Sequence, residues 1–277
     1  MRQIRSYLKR KYPGLSRLAT AAVIAVKNML RKTPLGARVV QLLNGQRAIV
    51  IGRPKYYKSG LMSFKNCDFM KNPNFIKSCE IGMRQIGAHD DNFEGWPRHV
   101  NLWAAYHARN LRGDFVECGV WKGSNAMSII QYLDFAGMPD RKFYLFDTFK
   151  GLDKDFSTTW EYDRLAKVYE EDLYDYVRDS FKKYSNVIIV RGPVPRTLQT
   201  VEIGEVAYLS IDMNCVIPEV ESIKYFWPKL VPGAIVVFDD YGWGGHEKQK
   251  EAIDKVALSL GVEILTLPTG QGLMIKP

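Results

Sequence analysis

The first 60 residues contain no Asp or Glu at all, against fourteen Lys and Arg, and the first acid of the chain is Asp68. The other 217 residues carry 25 bases and 30 acids, so the formal charge of +9 belongs to the N-terminal arm and the body is mildly acidic at −5. That split argues against a protein whose whole surface grips nucleic acid. Cysteine is scarce. The four present (Cys67, Cys79, Cys118, Cys215) form no C-x-x-C pair and read as reduced, mostly buried thiols of a cytosolic protein. The four histidines are too scattered to make a metal cluster by spacing. Long apolar runs are also missing: the stretch from Leu18 to Val26, interrupted by Thr20, is too short to span a bilayer. No internal repeat or low-complexity tract is visible.

The apolar stretch follows Arg5, Lys9, Arg10, Lys11 and Arg17, as a secretory or organelle-targeting segment would. No small-residue cleavage site with a mature start follows it, and basic, apolar sequence runs on through "NMLRKTPLGARVVQLLNG". Two readings stand: an interfacial helix drawn to anionic lipid at the inner membrane face, or a solvated basic helix packed on its own domain. The expected organisation is a basic helical arm over 1–60, a helical and irregular cap segment over 61–112, and a main domain over 113–277. Helical pieces are expected at 16–31 and 35–43.

What is present from Gly113 onward is an alternation. The patterning predicts strands at 114–120, 142–147, 187–192, 206–212 and 234–239. Helices are predicted near 124–136, 163–183, 194–200, 218–230 and 246–260. Strands alternating with helices mean βαβ units and an α/β, doubly wound, mostly parallel sheet. The tail "VEILTLPTGQGLMIKP" predicts a terminal antiparallel hairpin.

Ligands of such a sheet sit beyond the carboxyl ends of the strands. The first of these ends reads "DFVECGVWKGSNAMSII". Gly119 and Gly123 permit a tight strand-to-helix turn, and Ser124 or Asn125 is suited to cap the helix. The spacing is E-x-G-x-x-x-G rather than the G-x-G-x-x-G of a dinucleotide turn, and Trp121 stands at the missing middle glycine. Glu117 repels a phosphate but accepts hydrogen bonds from an ammonium or hydroxyl group. S-adenosylmethionine carries both and no phosphate. The next strand ends in Asp147, placed to hold ribose hydroxyls; the competing reading pairs Glu117 with Lys122 or Arg112 and leaves Asp147 as a cap.

Two later strands end in Asp212 and in Asp239–Asp240. As neighbours in the sheet they bring three carboxylates to one patch, where they repel unless a cation or protons intervene. Spacing alone leaves two readings open, a hard divalent ion such as Mg²⁺ or one aspartate capping the turn at Tyr241–Gly242.

The texts "DFVECGVWKGSNA", "YLFDTFKGL", "GPVPRTL", "SIDMN" and "FDDY", in that order, resemble the macrocin O-methyltransferase family. This is a class of S-adenosylmethionine-dependent enzymes acting on sugar hydroxyls of antibiotics. The resemblance runs from about residue 90 to the end. It implies a seven-stranded Rossmann-like methyltransferase sheet, with Glu117, Gly119, Gly123, Ser124, Asp147 and Asp212 at the cofactor, and Asp212, Asp239 and Asp240 as magnesium ligands. The family's D-G-D, whose second acid is a general base, is here Asp212-Met213-Asn214, as in a bacterial branch with D-M-N. An amide takes no proton at neutral pH, so Asn214 is left to orient a hydroxyl or a water, and His246 is nominated as the base. Tyr241 and Trp243 are candidates to line a sugar, the Gly242–Gly245 loop to move over it, and Arg98, His99 and Trp103 to close the cofactor side. The expected activity is O-methylation of a sugar hydroxyl in a glycan, glycolipid or glycosylated metabolite by a cytoplasmic homo-oligomer. The alternatives are a non-catalytic cofactor-binding scaffold and a nicotinamide-dependent oxidoreductase.

Overall fold

The structure is a computed structural model that describes residues 54–87 and 95–277. The helices expected at 16–31 and 35–43, and the basic arm as far as residue 53, lie outside the described residues. One unit spans Lys55–Pro277, so the cap segment and the main sheet fall within it.

A short antiparallel ribbon opens it, β1 (Tyr56–Lys58) with β2 (Leu61–Ser63), which the sequence pattern did not reveal. Helix α1 (Pro73–Gln85) starts where Asn72 accepts hydrogen bonds from the Asn74 and Phe75 amides and Pro73 takes the first turn, a strong stop-and-start signal. Helix α2 (Gly95–Ala108) leads into the sheet.

The sheet has seven strands: β3 (Asp114–Cys118), β4 (Phe143–Asp147), β5 (Val187–Arg191), β6 (Val206–Ile211), β7 (Leu230–Phe238), β8 (Leu265–Thr266) and β9 (Gly272–Ile275). Their order is β5-β4-β3-β6-β7-β9-β8, parallel from β5 to β7, with β9 antiparallel to both β7 and β8. Helices α3 (Ser124–Leu133), α4 (Thr159–Leu165), α5 (Tyr174–Phe181), α6 (Val216–Phe226) and α7 (Glu247–Ser259) complete the alternation.

Strands buried on both faces read as continuous apolar runs, and alternate residues serve opposite cores. Phe115, Phe143, Leu145, Ile235 and Val237 face one cluster, shared with α1, α2 and α3. Val116, Cys118, Tyr144, Phe146, Val236 and Phe238 face the other, shared with α6 and α7. Each such side chain contributes about 1.5–3 kcal/mol through removal from water. By the same alternation Glu117 is turned toward the α2–α3 face, although it is a carboxylate.

Two expected helices take other forms. The one expected at 163–183 is broken into α4 and α5. Between them the Leu173 amide donates to the Phe149 carbonyl at 2.7 Å, and Glu171 and Asp172 pair with Lys122 at 3.3 Å and Arg191 at 2.8 Å. Those bonds draw the connection across the strand tips. The one expected at 194–200 is a run of turns, with Thr197 donating to the Pro193 carbonyl and Leu198 to that of Pro195, both at 3.1 Å. Prolines at 193 and 195 withhold the amides a helix needs there.

Candidate active site

Chain order runs outward from β3 through β4 and β5, then resumes on its other side with β6, so β3 and β6 flank the topological switch point. Their tips are in unusually close contact. The Asp212 amide donates to the Cys118 carbonyl at 2.8 Å. A Cβ on Gly119 would lie 1.7 Å from the Asp212 carbonyl oxygen, and Gly119 has φ +89. Only glycine fits such a position. Gly123 serves differently. It is the left-handed N-cap of α3, and a Cβ there would strike the Phe181 ring at 2.5 Å. Gly123 therefore packs a helix and does not line the cavity, and neither Ser124 nor Asn125 caps α3.

A cavity of about 270 Å³ opens beside this switch point, close to the lower end of ligand clefts, roughly 300–1,000 Å³. Glu117, Gly119, Ser124, Asp147, Asp212 and Asn214 all border it. Among the described residues five non-glycine residues have positive φ, and three of them (Trp121, Phe149 and Asn214) border the same cavity. Such strain gathers where surrounding structure enforces a functional shape.

Glu117 is 2% exposed. Asn125 Nδ2 donates to its Oε2 at 3.2 Å, and Arg98 donates to Asn125 Oδ1 at 2.9 Å and to Ser124 Oγ at 3.0 Å. Burial pushes the Glu117 carboxyl up to about 8, against the opposing pull of Arg98. The competing partners are engaged elsewhere, Lys122 with Glu171 and Arg112 with Glu205. Asp147 accepts from the Val120 and Trp121 amides through Oδ2 (2.6 and 2.8 Å) and from the Phe149 amide through Oδ1 (2.6 Å). It thereby clamps the Gly119 turn to the end of β4, and any ribose hydroxyl would have to share these oxygens. Of the residues expected to close this side, Arg98 borders the cavity, while His99 stacks on Phe69 at 4.0 Å. Trp103 is 48% exposed, stacked on His107 away from the cavity.

The carboxylates meet. In the β6–β7 register Ile211 pairs with Phe238, so Asp212 and Asp239 leave the sheet side by side. One oxygen from each of Asp212, Asp239 and Asp240 lies within 4.8 Å of the others. Burial, then Asp239 and Asp240, pushes the Asp212 carboxyl well up; burial and Asp239 push Asp240 to about 6, while His246 and Arg164 oppose the rise. Asp240 Oδ2 is buried with no hydrogen-bond partner. An all-oxygen, triply acidic set with an orphaned buried oxygen fits a hard divalent cation such as Mg²⁺.

Sequence reasoning missed the residues that hold this cluster. Glu219 is fully buried in the first turn of α6. Its Oε1 accepts from the Met213 and Asn214 amides at 3.0 Å, and its Oε2 from Gln249 Nε2 at 2.7 Å. Gln271, also fully buried, donates to Asp239 Oδ1 at 2.8 Å. A buried carboxylate pinned by three N–H donors carries no signal in local spacing. Asn214 sits at φ +58, which asparagine tolerates better than most residues, and its amide lies 3.4 Å from Asp212 Oδ1. His246 stands at the N-cap position of α7, 8% exposed, without making a capping bond. Tyr241 is buried and hydrogen-bonded to Asp254, which makes it a loop anchor, whereas Trp243 is 36% exposed. The Gly242–Gly245 loop is tied down by the Gly242 amide on the Gly270 carbonyl (2.6 Å) and by Arg164 on the Gly245 carbonyl (3.0 Å).

Comparison with known proteins follows the same residues. The family model described as Macrocin-O-methyltransferase (TylF) matches residues 98–259. Two curated relatives are each 26% identical. One is the 8-demethyl-8-(2,3-dimethoxy-alpha-L-rhamnosyl)-tetracenomycin-C 4'-O-methyltransferase of Streptomyces olivaceus, matched over 143 residues, 48% of this chain and 55% of the relative. The other is the demethyldecarbamoylnovobiocin O-methyltransferase of Streptomyces niveus, matched over 141 residues, 48% and 54%. The chain thus spans about half the length of the curated relatives it matches. Among solved structures, the O-methyltransferase NovP aligns with TM-score 0.62 at 18% identity, over 73% of this chain and 97% of that one. The calicheamicin methyltransferase CalS11 aligns with TM-score 0.53 at 15% identity, over 82% and 99%. These likenesses establish the methyltransferase-type sheet.

Proposed function

The chain belongs to the macrocin-O-methyltransferase family, and we propose that it methylates a hydroxyl of a sugar-bearing acceptor, using S-adenosylmethionine and a divalent cation held by Asp212, Asp239 and Asp240. The observation that carries the reading is a juxtaposition. Asp212 borders the cavity at the Gly119 turn and also shares the three-carboxylate cluster. The sugar class is taken from relatives, one of which is named for a rhamnosyl acceptor. The acid-free arm over residues 1–60 suits a lipid-linked or anionic form of such an acceptor at a membrane face.

S-adenosylmethionine supplies a methyl group on a sulfonium. A bound divalent cation supplies electrostatic lowering of a hydroxyl pKa. The chain's own contribution is positioning and proton removal. Glu117 offers a buried carboxylate for the cofactor's ammonium, Asp147 clamps the turn, and Asn214 orients Asp212. His246 would take the proton that the acceptor hydroxyl loses on methylation, and S-adenosylhomocysteine would be the other product. Holding acceptor and donor in line is a large part of the rate.

Asn214 favours one rival, a cofactor-binding scaffold without turnover. Titration calorimetry with S-adenosylhomocysteine and Mg²⁺ tests the main reading: binding is expected, and silence at millimolar ligand ends it. Methylation of any sugar acceptor, abolished in Asp239→Ala, removes the scaffold.

A further inference from the structure

We propose that Gln249 is a positioning residue that fixes the tautomer of His246, holding a proton on Nδ1 and leaving Nε2 as the basic nitrogen. This rests on the reading of His246 as the base given above and names the device that makes it one.

Three buried side chains are linked in a hydrogen-bonded chain. Glu219 is 0% exposed, Gln249 2% and His246 8%. His246 Nδ1 is 3.1 Å from Gln249 Oε1, three residues along α7. Gln249 Nε2 donates to Glu219 Oε2 at 2.7 Å. The other Glu219 oxygen already accepts two backbone amides, those of Met213 and Asn214. Among the described residues no hydrogen bond reaches His246 Nε2.

The direction of the chain follows from donor and acceptor chemistry. Burial and Asp240 push the Glu219 carboxyl up, while the Met213 and Asn214 amides on Oε1 favour its ionised form; as a carboxylate it only accepts, so the amide NH₂ of Gln249 faces Glu219 and its oxygen faces the ring. That oxygen also only accepts, so the ring nitrogen opposite must carry hydrogen. In a neutral imidazole the second nitrogen then holds the lone pair. Turning the amide around would set its oxygen against the Glu219 oxygen and lose that buried bond, even with the ring in its other tautomer accepting at Nδ1. Partners of this kind, acting on the far nitrogen of a histidine, are what set which nitrogen does chemistry.

The chain also ties the base to the place where the expected one is missing. Glu219 holds the amide of Asn214, the residue standing where the family's second acid would be. His246 is among the charges that oppose the rise of Asp240, and neither residue borders the cavity at the Gly119 turn. In the reaction the acceptor's O–H bond breaks, the proton passes to Nε2, and the oxygen takes the methyl group. The imidazolium later returns the proton to solvent.

The test is a long-range ¹H–¹⁵N spectrum of the full chain labelled with ¹⁵N-histidine, at alkaline pH where imidazoles are neutral, with His246→Asn to assign the signals. A protonated Nδ1 and a lone-pair Nε2 are expected in the unsubstituted chain, with the preference lost in Gln249→Leu. An Nε2–H form in the unsubstituted chain overturns the proposal and needs no variant to fold. Kinetics add a second readout. Gln249→Leu is expected to lower kcat by about 10²-fold, the lower end of what a positioned base contributes, with KM for S-adenosylmethionine unchanged. Equal kcat in the variant overturns the positioning role. Retained S-adenosylhomocysteine binding in both variants separates either failure from a failure of the cofactor reading.

Discussion

Substituting Gly119 by alanine perturbs the point where the Gly119 turn packs against the backbone of the carboxylate cluster. The added Cβ would stand 1.7 Å from the Asp212 carbonyl oxygen and 2.4 Å from its carbon, at φ +89. A side chain at positive φ costs about 1–2 kcal/mol. Relieving the overlap forces the β3 and β6 tips apart, roughly 1–3 kcal/mol by analogy with overpacked cores. The Asp212–Cys118 backbone hydrogen bond is lost with it, about 1 kcal/mol. The sum is about 3–6 kcal/mol. Gly261 supplies the control, with φ +70 and nothing within 4 Å of an added Cβ, so Gly261→Ala costs only the backbone strain. In a domain of this size 1 kcal/mol moves Tm by about 2–4 °C. Calorimetric melting should therefore show a drop of roughly 6–24 °C for Gly119→Ala and about 2–8 °C for Gly261→Ala. Added S-adenosylhomocysteine should raise Tm in the control but not in Gly119→Ala. Equal melting shifts in the two variants would refute the close-approach argument.

Three further outcomes are expected. Mg²⁺ at about a hundred times its dissociation constant should stabilise the protein by about 2.7 kcal/mol; EDTA should reverse the rise in Tm, and Asp240→Asn should not show it. Glu117 binds its proton more tightly folded, with its carboxyl at about 8 against an ordinary 4.5. Its contribution to stability is thus present below pH 4.5 and lost as pH rises toward 8. Thermal melts across that window should fall less steeply in Glu117→Gln than in the parent. Gln271→Leu removes the hydrogen bond to Asp239 and should weaken Mn²⁺ binding about 10–100-fold, read by titration calorimetry; unchanged affinity would assign Gln271 to packing alone.

Strands were readable because burial on both faces leaves an uninterrupted apolar run, as in "VAYLSI" and "AIVVF", each closed by an acid. Their mostly parallel orientation was readable from alternation with helices. The candidate site was readable wherever a strand tip carried its own chemistry: Glu117, Asp147, Asp212 and Asp239. What escaped was set by partners distant in the chain. Leu165–Tyr174 looks helical in isolation, yet the Leu173 amide finds the Phe149 carbonyl and the helix breaks. Gly123 looks like part of a ligand turn, yet it is small because Phe181 occupies the space. Gln249 and Gln271 look like ordinary polar residues of a helix and a hairpin, and only the fold reveals that each is buried with its amide turned to a carboxylate. Trp121, at φ +48, holds a left-handed turn that a sequence pattern assigns to glycine.

A cation held by three strand-tip aspartates, directly beside a methyl donor seated at the Gly119 turn, is the centre of this account. Nuclear relaxation of S-adenosylmethionine carrying ¹³C in its methyl group, measured on the protein with Mn²⁺ in place of Mg²⁺, tests both halves together. Strong paramagnetic enhancement of that methyl signal, abolished in Asp239→Asn, is predicted. Bound Mn²⁺ and bound cofactor with an unaffected methyl signal would contradict it.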